Sequence, residues 1–231
     1  MKDAQTIDAK EFITTNGMKF PKDGHFMTGR IRGAMTDGGY EAKETKCLLR
    51  VVREDDVVVE LGAGMGYTST LLATKRKIKH IHAFEANPTL IPYLKAVHAA
   101  NGVENATVTN AVLGSRKGSV DFYVRRNFLA SSLTPIEGTN VSSVEKIEML
   151  NTKTVFKSLK PTVLVCDIEG AEADLIPNMD LTGLRAAVIE LHPQWIGPEG
   201  VNKVFRAFMD AGFAYYARGS TSKVVSFRRA W

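Results

Sequence analysis

Residues 57–66 read Val-Val-Val-Glu-Leu-Gly-Ala-Gly-Met-Gly, and a helical pattern begins at Tyr67. The β-branched run predicts a buried strand, and the glycines at 62, 64 and 66 predict a tight turn into the helix. That arrangement lets backbone N–H groups approach a nucleotide-like ligand closely. A dinucleotide fingerprint needs its third glycine at position 67, where Tyr67 stands. The stretch therefore fits an adenosine-bearing ligand better than NAD. Glu60, inside an apolar strand, must find a partner; it either orients the glycine loop or attracts a cationic ligand.

From this stretch onward, strand and helix patterns alternate. Strands are predicted at 57–61, 79–85, 106–112, 162–168 and 186–191, with an extra extended segment at 120–124. Helices are predicted at 40–53, from Tyr67 to Thr74, after Asn87-Pro88, around Ala173 and Leu175, and over 199–211. Pro135 and Gly138 suggest a loop within 127–150, and a hairpin of 213–218 with 223–228 closes the chain. Such alternation predicts an α/β, doubly wound, mostly parallel sheet whose closing hairpin adds an antiparallel strand. With 231 residues and no linker or repeat, one domain is expected: an N-terminal helical and loop extension over 1–52 and a core over 53–231.

Ligands of an open parallel sheet sit beyond the carboxyl ends of its strands. Those ends carry Glu60, Glu85, Asn110 with Ala111, Asp167 with Glu169, and Glu190 with His192. Glu85 lies 23 residues beyond Gly62, where a carboxylate can accept bonds from ribose hydroxyls. Asp167 and Glu169, if both lie in a strand, share a face. Such a pair can hold a divalent cation, divide acid and base roles, or bind substrate hydroxyls; alternatively Asp167 caps the next helix. His192 is the best-placed histidine for a general base. An acid-rimmed loop repels pyrophosphate but suits S-adenosylmethionine, which carries a sulfonium and an ammonium and no phosphate.

Net charge is +5, but the basic clusters are scattered and have no interleaved aromatics. They read as solvated faces, so a nucleic-acid partner is not expected. Cys47 and Cys166 lack metal or redox spacing and read as buried thiols in a reducing cytoplasm. No stretch reaches the roughly 18 apolar residues of a membrane span, and Met1–Phe12 does not read as a secretory signal. The oligomeric state is left open.

The ordered set Val-Glu-Leu-Gly-Ala-Gly-Met-Gly-Tyr-Thr-Ser, Phe84-Glu85-Ala86-Asn87-Pro88, Asn101-Gly102, Asn110-Ala111-Val112-Leu113-Gly114 and Asp167-Ile168-Glu169-Gly170-Ala171-Glu172 resembles the FkbM family of S-adenosylmethionine-dependent methyltransferases. The resemblance runs from about Tyr40 to Leu191. It implies the class I methyltransferase fold, Rossmann-like, with a seven-stranded sheet and an antiparallel last strand. It also implies methyl transfer to a hydroxyl of a sugar or a small natural-product-like molecule. By position, Glu60, Gly62, Ala63, Gly64, Gly66 and Tyr67 would surround the methionine half of the cofactor. Glu85 and Ala86 would hold the ribose, Asn110 and Ala111 would lie by the adenine, and Asp167 would sit near the sulfonium. Asp167, Glu169 and His192 are the candidate catalytic groups. The rival readings are an RNA or protein methyltransferase, an NAD-linked oxidoreductase, and a non-catalytic adenosyl-binding module.

Overall fold

The computed structural model describes residues 11–125, 128, 131–133 and 140–229. The elements in order are β1 (Phe12–Thr15), β2 (Met18–Pro21), α1 (Gly29–Thr36), α2 (Ala42–Val51), β3 (Val57–Leu61), α3 (Tyr67–Lys75), β4 (His80–Glu85), α4 (Leu90–Ala100), β5 (Ala106–Asn110), β6 (Val112–Gly114) and β7 (Gly118–Arg125). After these come β8 (Val141–Asn151), α5 (Thr152–Leu159), β9 (Val163–Cys166), α6 (Glu172–Leu175), β10 (Ala186–Glu190), α7 (Pro193–Asp210), β11 (Ala214–Tyr215) and β12 (Val224–Arg228).

The main sheet has seven strands in the order β11-β12-β10-β9-β3-β4-β5. Strands β10, β9, β3, β4 and β5 run parallel, while β12 pairs antiparallel with both β10 and β11. The sheet is thus mixed and mostly parallel, with the Rossmann-like order of class I methyltransferases. Alternation along the central strands divides the core between two faces. Val58, Val163 and Val188 pack on one side with Cys47, Leu48 and Val51 of α2. Val59, Leu164 and Ile189 pack on the other with Val204 and Phe208 of α7. Such strands are buried on both faces, which is why they read as continuous apolar runs.

The chain winds outward from β3 to β5 and returns to β9 on the other side of β3. This reversal opens a crevice over the carboxyl ends of β3 and β9. The opposite end is clamped by buried Asp56, which ion-pairs with Arg185 and accepts hydrogen bonds from Arg53 N and Thr162 Oγ1. One end of the sheet is thus tied shut by charge and the other is left open.

Several expectations need correction. The third predicted strand ends at Asn110; the chain kinks at Ala111, and β6 joins a separate three-stranded sheet, β6-β8-β7. Residues 141–151, expected within a loop, form the eleven-residue strand β8. Pro135 and Gly138 lie outside the described residues, as does most of Met1–Phe12. Strand β9 stops at Cys166, so Asp167 and Glu169 do not share a strand face; Glu169 (φ 50) and Gly170 (φ 104) form a turn. Asp167 does not cap α6 either: its N-cap is Ala171, which carries no side-chain cap bond. The N-terminal extension holds the β1–β2 hairpin around Asn16-Gly17 and the helix α1. Cys47 and Cys166 are both free and buried, and no helix among the described residues is long and apolar enough to cross a membrane.

Candidate functional site

The glycine loop is fastened from two sides. The N–H groups of Gly62 and Ala63 donate to the carbonyl of Phe84 at 3.0 and 3.1 Å. Gly62 has φ +82, and a Cβ there would stand 1.7 Å from the backbone oxygen of Asp167. Only glycine lets the loop lie against the end of β9. Glu85 then pins the tip, its Oε2 accepting from Gly64 N and its Oε1 from Asn87 N, both at 2.7 Å. Burial pushes the Glu85 carboxyl up from its usual range, against these backbone donors, which favour its ionised form. Each oxygen keeps a second lone pair. Glu85 can therefore shape the loop and still accept from a ligand hydroxyl.

Glu60 is 2% exposed. Burial pushes its carboxyl well up, partly offset by the neighbouring Ser69. Its Oε2 has no hydrogen-bond partner. Gly66 (φ +80) serves packing: a Cβ there would come within 2.9 Å of Leu94 Cγ. The Tyr67 hydroxyl is engaged with Asn16 Nδ2 at 2.6 Å and Thr45 Oγ1 at 3.0 Å. Asn110 is exposed, and its amide holds the carbonyls of Glu85 and Ala86 at 2.8 and 2.9 Å. It acts as a buttress, while Ala111 itself lines the crevice.

Two clefts meet at Gly62, Gly64 and Asp167. The first is largely apolar, bounded by Phe84, Ala86, Ala111 and Leu113, with Phe122 of β7 and Phe128 on its far wall. The second is bounded by Tyr40, Glu41, Glu44, Glu60 and Glu190. The crevice is therefore apolar and aromatic at one end and carboxylate-lined at the other.

Beside their junction lies a dense charge cluster. His192 is 1% exposed, and its Nδ1 stands 2.7 Å from Oε1 of the fully buried Glu172. Its Nε2 faces Glu169 at 3.4 Å, Asp167 at 3.6 Å and Glu190 at 3.9 Å. Burial alone would lower the imidazole pKa; the Glu172 hydrogen bond and the charges of Glu169, Glu172 and Glu190 outweigh it and raise the pKa. Removal from water pushes the Asp167 carboxyl well up, and repulsion from Glu190, Glu41, Glu169 and Glu172 adds to this. Burial likewise raises Glu169, against the opposing pull of His192. Glu41 sits in a left-handed conformation (φ 50) and is pushed up to about 8 by burial and by Glu44 and Glu190. Lys223 ion-pairs with Glu190.

Asp167, Glu190 and His192 bring ligand atoms within 4.8 Å of one another, as do Glu41, Glu44 and Glu190. In both sets Glu190 already pairs with Lys223, and no metal role is assigned. The site thus joins the three candidate catalytic residues. It adds Tyr40, Glu41, Glu44, Glu172 and Lys223, which sequence reasoning did not single out for the site. Glu41 and Glu44 fall within the helix predicted over 40–53, as polar residues of an amphipathic pattern. The Asp37-Gly38-Gly39 turn just before Tyr40 was the available signal.

Residues 38–120 match the model of the TRM5/TYW2 methyltransferase domain. This span holds the glycine loop, Glu85 and most of the floor of the apolar cleft. No curated protein matches the chain. Among solved structures, a putative transferase, PH0793, from Pyrococcus horikoshii aligns with a TM-score of 0.52 and 18% identity, over 94% of this chain and 70% of that one. TYW2 of M. jannaschii, solved in complex with AdoMet, aligns with a TM-score of 0.50 and 15% identity, over 95% and 86%. Trm5b of Pyrococcus abyssi aligns with a TM-score of 0.50 and 15% identity, over 94% and 55%. These likenesses establish a shared fold. The matched domain model is the TRM5/TYW2 one rather than an FkbM one.

Proposed function

We propose that this S-adenosylmethionine-dependent methyltransferase acts on RNA, with a base as the methyl acceptor. The observation that carries the RNA reading is the domain match over residues 38–120. It favours a tRNA acceptor over the small hydroxyl compound expected from sequence. The residues suit the cofactor by their own chemistry. The apolar cleft accepts an adenine, Glu85 takes ribose hydroxyls, and the carboxylate-lined cleft attracts the sulfonium and ammonium. The orphaned Oε2 of Glu60 on the wall of that second cleft supplies an acceptor in search of a donor. When bound, the cofactor supplies an electrophilic methyl carbon. The protein must hold an acceptor atom in line with it, and such positioning carries much of the rate. Phosphates would be repelled by Asp167, Glu169 and Glu190, so a base must be turned out of its stack to enter.

A small hydroxyl acceptor is the second reading. It is favoured by that same acid-rimmed mouth, which suits a neutral molecule better than a polyanion. Incubation with methyl-labelled S-adenosylmethionine and, separately, tRNA, protein and small-molecule extracts tests the choice. Label in tRNA supports the first reading, and label confined to small molecules replaces it with the second. Absence of both binding and transfer overturns the enzyme assignment.

A further inference from the structure

We propose that Glu172 is a positioning residue. It fixes His192 through the Nδ1–H and presents Nε2 to Asp167 and Glu169, so that a buried Glu172–His192 pair takes up the proton released during methyl transfer. The inference rests on the methyltransferase reading and adds to it a residue that touches neither acceptor nor cofactor.

The geometry carries the argument. Glu172 is fully buried, and its Oε1 takes both His192 Nδ1 at 2.7 Å and Gly170 N at 3.2 Å. The Gly170 bond ties the carboxylate to the turn that carries Glu169. With Glu172 Oε1 as the acceptor of this bond, Nδ1 carries the hydrogen and the lone pair of the neutral ring lies on Nε2. That nitrogen faces the two carboxylates nearest the cleft junction. A backing carboxylate of this kind sets the tautomer and favours the imidazolium. The charged groups around the ring are Glu172 from α6, Asp167 and Glu169 from the preceding turn, and Glu190 from β10. Lys223 stands behind Glu190, and Glu41 and Glu44 lie beyond it.

The step balances. The acceptor atom forms a bond to the methyl carbon, and the carbon–sulfur bond breaks with its electron pair left on sulfur. The acceptor proton passes by way of Asp167 or Glu169 to Nε2. A positive charge is lost at the sulfonium and gained at the imidazolium, which Glu172 stabilises. Glu169, 39% exposed, then returns the proton to water.

The test combines nitrogen-15 NMR of the histidine rings with pH–rate profiles for wild type, Glu172→Gln and Glu172→Asp. In wild type, His192 should show the Nδ1–H tautomer and a titration midpoint above the ordinary histidine value. In Glu172→Gln the midpoint should fall, the acid limb of turnover should move down with it, and maximal turnover should drop by roughly tenfold or more. Cofactor affinity should stay within about threefold, a difference below one kcal/mol, and Glu172→Asp should restore part of the loss. An Nε2–H tautomer in wild type, or a midpoint unmoved by Glu172→Gln, overturns the proposal. The NMR readout needs no turnover. A preserved Glu172–His192 coupling in a protein that neither binds S-adenosylmethionine nor transfers methyl groups would sink the enzyme reading instead.

Discussion

Glu85 Oε2 accepts a hydrogen bond from the backbone N–H of Gly64 at 2.7 Å, so the end of one strand sets the shape of the loop that leaves its neighbour. A ribose held by this carboxylate, as proposed, would be coupled to a cofactor chain along the loop through one side chain.

Glu85→Gln should weaken S-adenosylmethionine binding by about 1–3 kcal/mol, because Gln offers one accepting oxygen where Glu85 uses two, so either the Gly64 or the Asn87 N–H loses its acceptor and the ribose loses a charged one. Calorimetry measures it. Unchanged affinity would remove Glu85 from the cofactor site.

Gly62→Ala should lower stability by about 2–5 kcal/mol, combining left-handed strain with overlap against the Asp167 carbonyl. Gly64 also has positive φ, but a Cβ there meets nothing within 4 Å, so Gly64→Ala should cost only about 1–2 kcal/mol. Denaturant melts of the two variants compare them directly. Equal losses would show that close approach to Asp167 is not what constrains position 62.

Asp167→Asn should reduce turnover by roughly 100-fold or more and lower cofactor affinity far less. Steady-state rates set beside calorimetric affinities separate the two. If turnover holds at the wild-type level, Asp167 takes no part in proton transfer.

His98 is buried against Ser69 Oγ at 2.9 Å, and burial lowers its pKa to about 4. The unfolded chain protonates near 6.5, so it binds the proton first as pH falls. The stabilisation is complete above about pH 6.5 and is lost between there and about 4, amounting to roughly 3 kcal/mol. Urea melts between pH 7.5 and 4.5 should show a steeper loss in wild type than in His98→Gln. Identical slopes would place the titration elsewhere.

Continuous apolar runs made the central strands readable in advance, and glycine spacing did the same for the loop. Runs such as Val57–Val59 and Ala186–Ile189 are apolar because both faces are covered. Strand β8 was hidden for the opposite reason: much of it faces water, so Ser143, Glu145 and Glu148 dilute the signal. The hairpin β1–β2 has strands of four residues each, too short for a period to register. Asp167 and Glu169 both face His192 Nε2, but a turn with positive φ brings them together, and alternation cannot describe such a turn. Glu172 was visible as part of a motif. Its partner His192 is 20 residues away, at the end of another strand, and only the parallel pairing of β9 with β10 brings them into contact.

The small sheet β6-β8-β7 begins where the chain leaves the main sheet at Ala111 and ends where α5 returns it to β9. It supplies Phe122 to the wall of the apolar cleft, yet its strands pair with none of the seven. It is a detour hung between two fixed points. None of its pairings sets the register of the seven strands, so changes within it should leave that register intact and alter this wall while the glycine loop stays as it is.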